Sequence, residues 1–170
     1  MTSLNTTSPV DSFRLDGRVA LITGSSGGIG LALATALAQA GARTVLNGRD
    51  ASRLQAAQKR LQDHGLHAEL AMFDVTDAAA VRAGVAAVEA SVGPISILVN
   101  NAGMQIRNPL HEFDDDDWHR LMRTNLDSVY YVSKAVAQHM IERGRGNIIN
   151  ISSVPSEPGR PGIAPSTASN

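Results

Sequence analysis

A glycine-rich run near the amino end holds the residues best suited to chemistry in this chain. Thr23-Gly24-Ser25-Ser26-Gly27-Gly28-Ile29-Gly30 directly follows the apolar segment 19–22 and precedes a helical pattern. Glycines let the backbone turn tightly and approach a phosphate, and a helix that starts there offers unpaired N–H groups and the positive end of its dipole. The run predicts a cradle for the diphosphate of a dinucleotide, the alternative being a plain glycine turn. Its candidate contacts are Gly24, Ser26, Gly28, Ile29 and Gly30.

A second polar segment, Asn47-Gly48-Arg49-Asp50, ends the next apolar run. It lies about 20 residues after the glycines, where a dinucleotide-binding chain contacts the adenosine ribose. An acidic residue there would bind the ribose 2′-hydroxyl and repel a 2′-phosphate. Because Asn47 is neutral and Arg49 can pair with a phosphate, the segment favours NADP over NAD, although Asp50 would weaken the field. The alternative is a solvated surface arginine.

Composition and charge are typical of a soluble globular chain. The 170 residues are 43% hydrophobic and 18% charged, with a formal net charge of −1 and no cysteine. These values predict one domain, exclude disulfides and thiolate chemistry, and indicate no nucleic-acid or membrane partner. The histidines show no metal-ligand spacing, so no metal site is expected. Residues 1–12 lack the apolar core of a secretion signal, so we expect a flexible tail there and a cytoplasmic location.

Short apolar runs alternate with helical patterns along the chain. Five strands are predicted, at residues 18–23, 44–46, 68–75, 95–99 and 147–151. Apolar residues at helical spacing predict helices between them, the last running from about Asp115 to Arg143. Strands alternating with helices imply right-handed βαβ units and a parallel sheet covered on both faces. The expected fold class is therefore α/β, a Rossmann-type doubly wound parallel sheet of about five strands.

These motifs together resemble the short-chain dehydrogenase/reductase family. Thr23-Gly-x-x-x-Gly28-x-Gly30 is followed after the fourth strand by Asn100-Asn101-Ala102-Gly103. Asp74-Val75 closes the third strand, Asn125 lies in a Thr-Asn-Leu context, and Ser152-Ser153 follows the fifth strand. The resemblance covers residues 13–170. Within the family, segments 46–49 and 159–165 are most similar to the gluconate 5-dehydrogenase branch.

The resemblance implies hydride transfer between a nicotinamide coenzyme and a ketone or secondary alcohol, with 5-ketogluconate and gluconate as the substrates of that branch. In the family a serine orients the substrate oxygen, a tyrosine transfers the proton, a lysine lowers the pKa of that tyrosine, and a helix asparagine steadies a water. Ser153 and Asn125 match the serine and the asparagine. The coenzyme contacts that the resemblance adds are Asp74, Val75, Asn101, Ala102 and Gly103.

The chain departs from the family where the tyrosine and lysine are expected. In the family the tyrosine stands thirteen residues after the serine, and the lysine four residues after the tyrosine. Counted from Ser153, these positions are Ser166 and Asn170. A serine is a poor general acid near pH 7, and a neutral asparagine lowers no neighbour's pKa by attraction. Tyr130 and Lys134 repeat the Tyr-x-x-x-Lys spacing, but on a helix that precedes Ser153. We expect catalytic impairment, the alternatives being a non-catalytic NADP-binding module or a fragment that needs a partner.

The resemblance also implies further strands and helices after the positions of the family's tyrosine and lysine. We therefore expect an incomplete domain over residues 13–170, with the fifth strand at an exposed edge and Ile149 and Ile151 uncovered. Family members usually form homo-oligomers, and this chain is expected either to aggregate or to stay monomeric.

Overall fold

The computed structural model of the chain describes residues 9–152, which form one parallel sheet with helices on both faces. The strand order is β3-β2-β1-β4-β5. The strands are β1 (Val19–Ile22), β2 (Arg43–Gly48), β3 (Ala68–Met72), β4 (Ile95–Asn100) and β5 (Asn147–Asn150). Every pairing is parallel. The strand order reverses between β1 and β4, so this is the doubly wound α/β sheet that the sequence predicts.

The helices connect successive strands and cover the sheet. They are α1 (Gly28–Gln39), α2 (Ala51–Gln62), α3 (Ala78–Ser91), α4 (Asp115–Met122) and α5 (Ser128–Glu142), with short 3-10 turns at Pro9–Phe13 and Leu110–Glu112. No helix among residues 9–152 is both long and apolar enough to cross a membrane. Of the predicted tail, residues 1–8 lie outside the described residues, and the rest forms the first 3-10 turn.

Two apolar layers hold the helices to the sheet, one on each face. Leu21 of β1 packs in a layer that includes Val85 of α3 and Val136 of α5. Ile22, the next residue of β1, packs in the other layer, with Ala34 of α1 and Leu54 of α2. Successive strand residues point to opposite faces, so the continuous apolar strands predicted from the sequence are the ones a doubly covered sheet requires.

Two of the differences between the predicted elements and the structure bear on the candidate site. The third strand ends at Met72 and not at Val75, because Asp74 folds back in a turn in which its Oδ1 accepts from the Thr76 N–H at 2.8 Å. The predicted long helix is interrupted by a π-helical turn at Arg123–Asp127. There the Ser128 hydroxyl donates to the Thr124 carbonyl at 2.7 Å, a contact that competes with backbone pairing. A π turn adds one residue to the helix and changes which side chains point toward the sheet edge.

Strand β5 lies at one edge of the described sheet, as predicted. Within residues 9–152 it pairs only with β4. The side chains of Ile148, Ile149 and Ile151 are 39%, 46% and 41% exposed. The described part of the sheet therefore presents an apolar edge.

Candidate dinucleotide-binding site

The glycine-rich run forms the tight connection between β1 and α1. Gly24 and Gly28 have φ of +62° and +56°, a left-handed conformation that side chains other than glycine rarely adopt. A Cβ on Gly30 would lie 2.5 Å from Asn101 Nδ2 and 2.6 Å from the Gly24 carbonyl oxygen. Gly27 occupies the N-cap position of α1 and has no side chain to bond the first amides. Those amides are therefore left for a ligand, and an anion suits them best.

Thr23 joins this loop to the loop that follows β4. Its buried Oγ1 accepts from the backbone N–H groups of Asn101 at 2.9 Å and Ala102 at 3.0 Å. In return, the Asn101 side-chain amide donates to the Thr23 carbonyl at 3.0 Å. The two motifs that the sequence analysis singled out are thus hydrogen-bonded into one platform at the carboxyl ends of neighbouring strands.

A groove of about 570 Å³ runs along this platform and over the end of β2. All the predicted coenzyme contacts except Gly28 line it: Gly24, Ser26, Ile29, Gly30, Asn47, Arg49, Asp74, Val75, Asn101, Ala102 and Gly103. Ligands of open α/β sheets bind at this reversal point of the strand order. Three residues that the sequence did not predict also line the groove: Arg53, Thr76 and Thr124.

Asn47 shapes the groove at the end of β2 from a buried position. Its side-chain nitrogen donates to the carbonyls of Ala71 at 3.0 Å and Phe73 at 3.2 Å. Its backbone N–H donates to Ser25 Oγ at 2.9 Å. Both N–H bonds of the amide are thus used to hold the end of β3 beside β2, so Asn47 lines the groove but has no side-chain donor left for a ribose.

Arg49, two residues after Asn47, is exposed to solvent. Its side chain is 75% exposed, and Nη1 lies 3.4 Å from Asp74 Oδ2, a long and weak ion pair. Burial, the largest single influence, raises the pKa of Asp74, but hydrogen bonds from Thr76 and the charge of Arg49 together outweigh it. The pKa of Asp74 therefore lies below its ordinary value, and the carboxylate is ionised at neutral pH.

Asp50, which sequence analysis placed as an opposing charge, caps α2. Its Oδ1 accepts from the Ser52 hydroxyl at 2.6 Å and from the Arg53 N–H at 3.0 Å. These hydrogen bonds, that from the Ser52 side chain first, lower the pKa of Asp50. An N-cap carboxylate satisfies amides that the helix leaves unpaired. Its charge is thus already engaged by donors of α2.

A second cavity of about 610 Å³ adjoins the groove and contains the predicted catalytic asparagine. Asn125 lies in the π-helical turn, where its Oδ1 accepts from the Met104 N–H at 2.9 Å and its Nδ2 donates to the Met104 carbonyl at 3.0 Å. Ile29 and Ser152 also line this cavity. The loop after β4 is thereby fixed over the cavity by the π turn.

Ser153, Ser166 and Asn170 lie outside the described residues. Lys134 Nζ donates to Tyr130 Oη at 3.3 Å on α5, but neither residue lines the groove or the second cavity. Among residues 9–152, no group of three histidine, aspartate or glutamate side chains is placed to hold a metal ion.

Comparison with known proteins defines the class. The sequence profile of the short chain dehydrogenase family matches residues 18–170. The chain therefore belongs to the short-chain dehydrogenase family, as the glycine-rich run and the Asn-Asn-Ala-Gly motif indicated.

Within the family, the relatives point to one branch. The chain is 58% identical over 158 residues to gluconate 5-dehydrogenase of Gluconobacter oxydans strain 621H, covering 93% of this chain and 62% of that protein. It is 44% identical over 159 residues to 5-keto-D-gluconate 5-reductase of Escherichia coli K12, covering 94% and 63%. A crystal structure of a gluconate 5-dehydrogenase from Burkholderia cenocepacia J2315 in complex with NADP and tartrate matches with a TM-score of 0.88 at 57% identity, covering 94% of this chain and 63% of that one.

These matches confirm the resemblance to the gluconate 5-dehydrogenase branch. They also show that the chain spans less than two thirds of the length of these relatives.

Proposed function

We propose that this chain is the coenzyme-binding part of an NADP(H)-dependent oxidoreductase that interconverts a ketone and a secondary alcohol of the 5-ketogluconate and gluconate type. The observation that carries the proposal is the groove at the carboxyl ends of β1, β2 and β4, where the uncapped start of α1 meets the loop after β4. The NADP named with the Burkholderia gluconate 5-dehydrogenase supports NADP as the coenzyme.

The residues of the groove fit the parts of this coenzyme. The amides of α1 suit the diphosphate, Arg49 suits the 2′-phosphate, and Asp74 and Val75 would hold the adenine. When bound, NADPH supplies a hydride to the carbonyl carbon, and a proton on the oxygen completes the alcohol. In the second cavity, Asn125 holds the Met104 backbone and is the candidate to steady a water on the proton path.

We further propose that the chain as it stands turns over slowly. Ser166 and Asn170 occupy the positions where the family has its proton-transferring tyrosine and its lysine. Loss of one proton-transfer group lowers the rate by about a hundred- to ten-thousandfold. The same observation favours a second candidate function, a non-catalytic NADP-binding module or a fragment completed by a partner chain.

Two measurements test these proposals. Fluorescence titration with NADPH, together with calorimetry with NADP+ and NAD+, tests binding, and failure of all three to bind would exclude the coenzyme site. Consumption of NADPH in the presence of 5-ketogluconate tests turnover, and rapid turnover by the unchanged chain would refute the impairment.

Restoring the family's tyrosine and lysine at positions 166 and 170 distinguishes the enzyme from the non-catalytic binding module. We would compare the chain with its Ser166→Tyr/Asn170→Lys variant, each also extended with the carboxyl-terminal part of the Gluconobacter relative. Activity in the extended double variant alone supports the enzyme assignment. An inactive extended double variant that still binds NADPH would contradict the gluconate assignment and favour the binding module.

A further inference from the structure

Arg53 reaches the glycine loop from a different element, the first turn of α2. Its Nη2 lies 3.9 Å from the position that a Cβ on Gly27 would occupy, so the guanidinium group lies near the start of α1. Its backbone N–H is held by the Asp50 cap at 3.0 Å, which fixes the base of the side chain. The side chain is exposed and lines the groove.

Arg49 and Arg53 are the two cationic residues that line the groove in the described part of the chain. The carboxylates that line it with them are Asp50 and Asp74. Asp50 already accepts from Ser52 and from the amide of α2, and Asp74 accepts from the N–H and the hydroxyl of Thr76, both at 2.8 Å. Neither carboxylate forms a short ion pair with a guanidinium group, so both arginines retain donors for a ligand.

We propose that Arg53 acts with Arg49 as a two-arginine clamp on the 2′-phosphate of the coenzyme, which makes Arg53 a specificity-determining residue for NADP over NAD. This inference rests on the proposed function. The diphosphate is common to both coenzymes and has the amides of α1, whereas the 2′-phosphate is present only on NADP and needs donors near the end of β2. A phosphate monoester carries close to two negative charges and three acceptor oxygens, which suit two planar guanidinium groups.

The test compares Arg53→Gln and Arg49→Gln with the unchanged chain, and uses Arg60→Gln as the matched control. Arg60 is a further arginine of α2 that does not line the groove. Calorimetry would give Kd for NADP+, NAD+, adenosine 2′,5′-bisphosphate and adenosine 5′-monophosphate. The last two ligands differ by the 2′-phosphate alone and lack the diphosphate bridge and the nicotinamide.

Arg53→Gln should raise Kd about tenfold for NADP+ and adenosine 2′,5′-bisphosphate, the weakening expected on losing an exposed hydrogen bond to a charged group. Kd for NAD+ and adenosine 5′-monophosphate should change less than about twofold, within the scatter of surface substitutions. Arg60→Gln should leave all four values unchanged. The effects of Arg49→Gln and Arg53→Gln should be non-additive, because both side chains contact one phosphate.

Two outcomes would overturn the clamp. If Arg53→Gln weakened the binding of NADP+ and NAD+ equally, Arg53 would contact the shared diphosphate. If it left Kd for NADP+ unchanged, Arg53 would not contact the coenzyme. In either case NADP+ still binds the unchanged chain, so the proposed function survives. If no coenzyme binds the unchanged chain, both proposals fail together. Urea unfolding of each variant would show that the folded state is retained.

Discussion

At the residue scale, Thr23 does more than begin the glycine motif. Its hydroxyl is the acceptor for two consecutive N–H groups of the loop after β4 and itself lies 3.4 Å from the Val99 carbonyl. A threonine next to a glycine run looks ordinary in the sequence. In the fold it joins two loops that are more than seventy residues apart in the chain.

We predict that Thr23→Val destabilises the chain by about 2 kcal/mol, because it leaves two backbone N–H groups without their acceptor at nearly constant volume. Thr23→Ser is the control, since it keeps the hydroxyl and loses about 1 kcal/mol or less with the methyl group. The free energy of unfolding in urea measures both. Equal losses in the two variants would show that the methyl group matters and the hydrogen bonds do not.

The lowered pKa of Asp74 predicts how the stability of the fold depends on pH. Its pKa is lowered in the folded state from an ordinary value of 3.8. The stabilisation it gives is therefore complete above 3.8 and is lost as the pH falls through the lower, folded value. We expect the difference in unfolding free energy between the unchanged chain and Asp74→Asn to stay constant above about pH 5 and to shrink as the pH is lowered below about 4, where an ordinary aspartate becomes protonated. A difference that stays constant as the pH is lowered would contradict the lowered pKa.

At the element scale, an ion pair joins α5, α3 and the start of β4. Arg143, the C-cap of α5, donates to both carboxylate oxygens of Glu89 of α3, at 2.7 and 3.0 Å, and to the Ile95 carbonyl at 2.9 Å. The Glu89 carboxylate also accepts from the Ile95 N–H at 3.0 Å. The two side chains are 27% and 13% exposed, so this pair is less screened than the surface pairs of the described chain.

We predict that Arg143→Met lowers the unfolding free energy by about 2 kcal/mol, in the range for hydrogen bonds to charged groups. Arg120→Met is the matched control, because Arg120 pairs with Asp117 at 2.8 Å on the exposed surface of α4. We expect the control to change stability by about 0.5 kcal/mol or less. Urea unfolding measures the free energy of unfolding of both variants. Similar losses in the two would show that the α3–α5 pair stabilises the fold no more than a surface pair does.

At the scale of the whole molecule, the reversal of strand order places the groove and the apolar edge on neighbouring strands. The loops after β1 and β4, which are hydrogen-bonded to each other, line the groove, and β5 continues the sheet beyond β4. A sheet edge with exposed isoleucines is a surface for association with other chains.

We predict that the 170-residue chain self-associates as its concentration rises and that Ile149→Lys reduces this association, because a charge at a sheet edge opposes pairing. Ile141→Lys is the control, since Ile141 is 77% exposed but lies on α5 and not on the sheet edge. Light scattering over a concentration series measures the effect. A stable monomer at all concentrations would contradict the prediction, as would an equal effect of the control.

The sequence alone determined the parts of this protein that depend on local pattern. Apolar runs and glycine spacing predicted the five parallel strands, the tight glycine connection between β1 and α1, and the family, because conformational preference and periodicity belong to neighbouring residues. Only the tertiary structure brought Arg53 near Gly27, turned the Asn47 amide toward β3 and inserted the π turn that holds Asn125 against Met104. These arrangements depend on contacts between elements distant in the chain, and such contacts exist only once the helices have packed on the sheet.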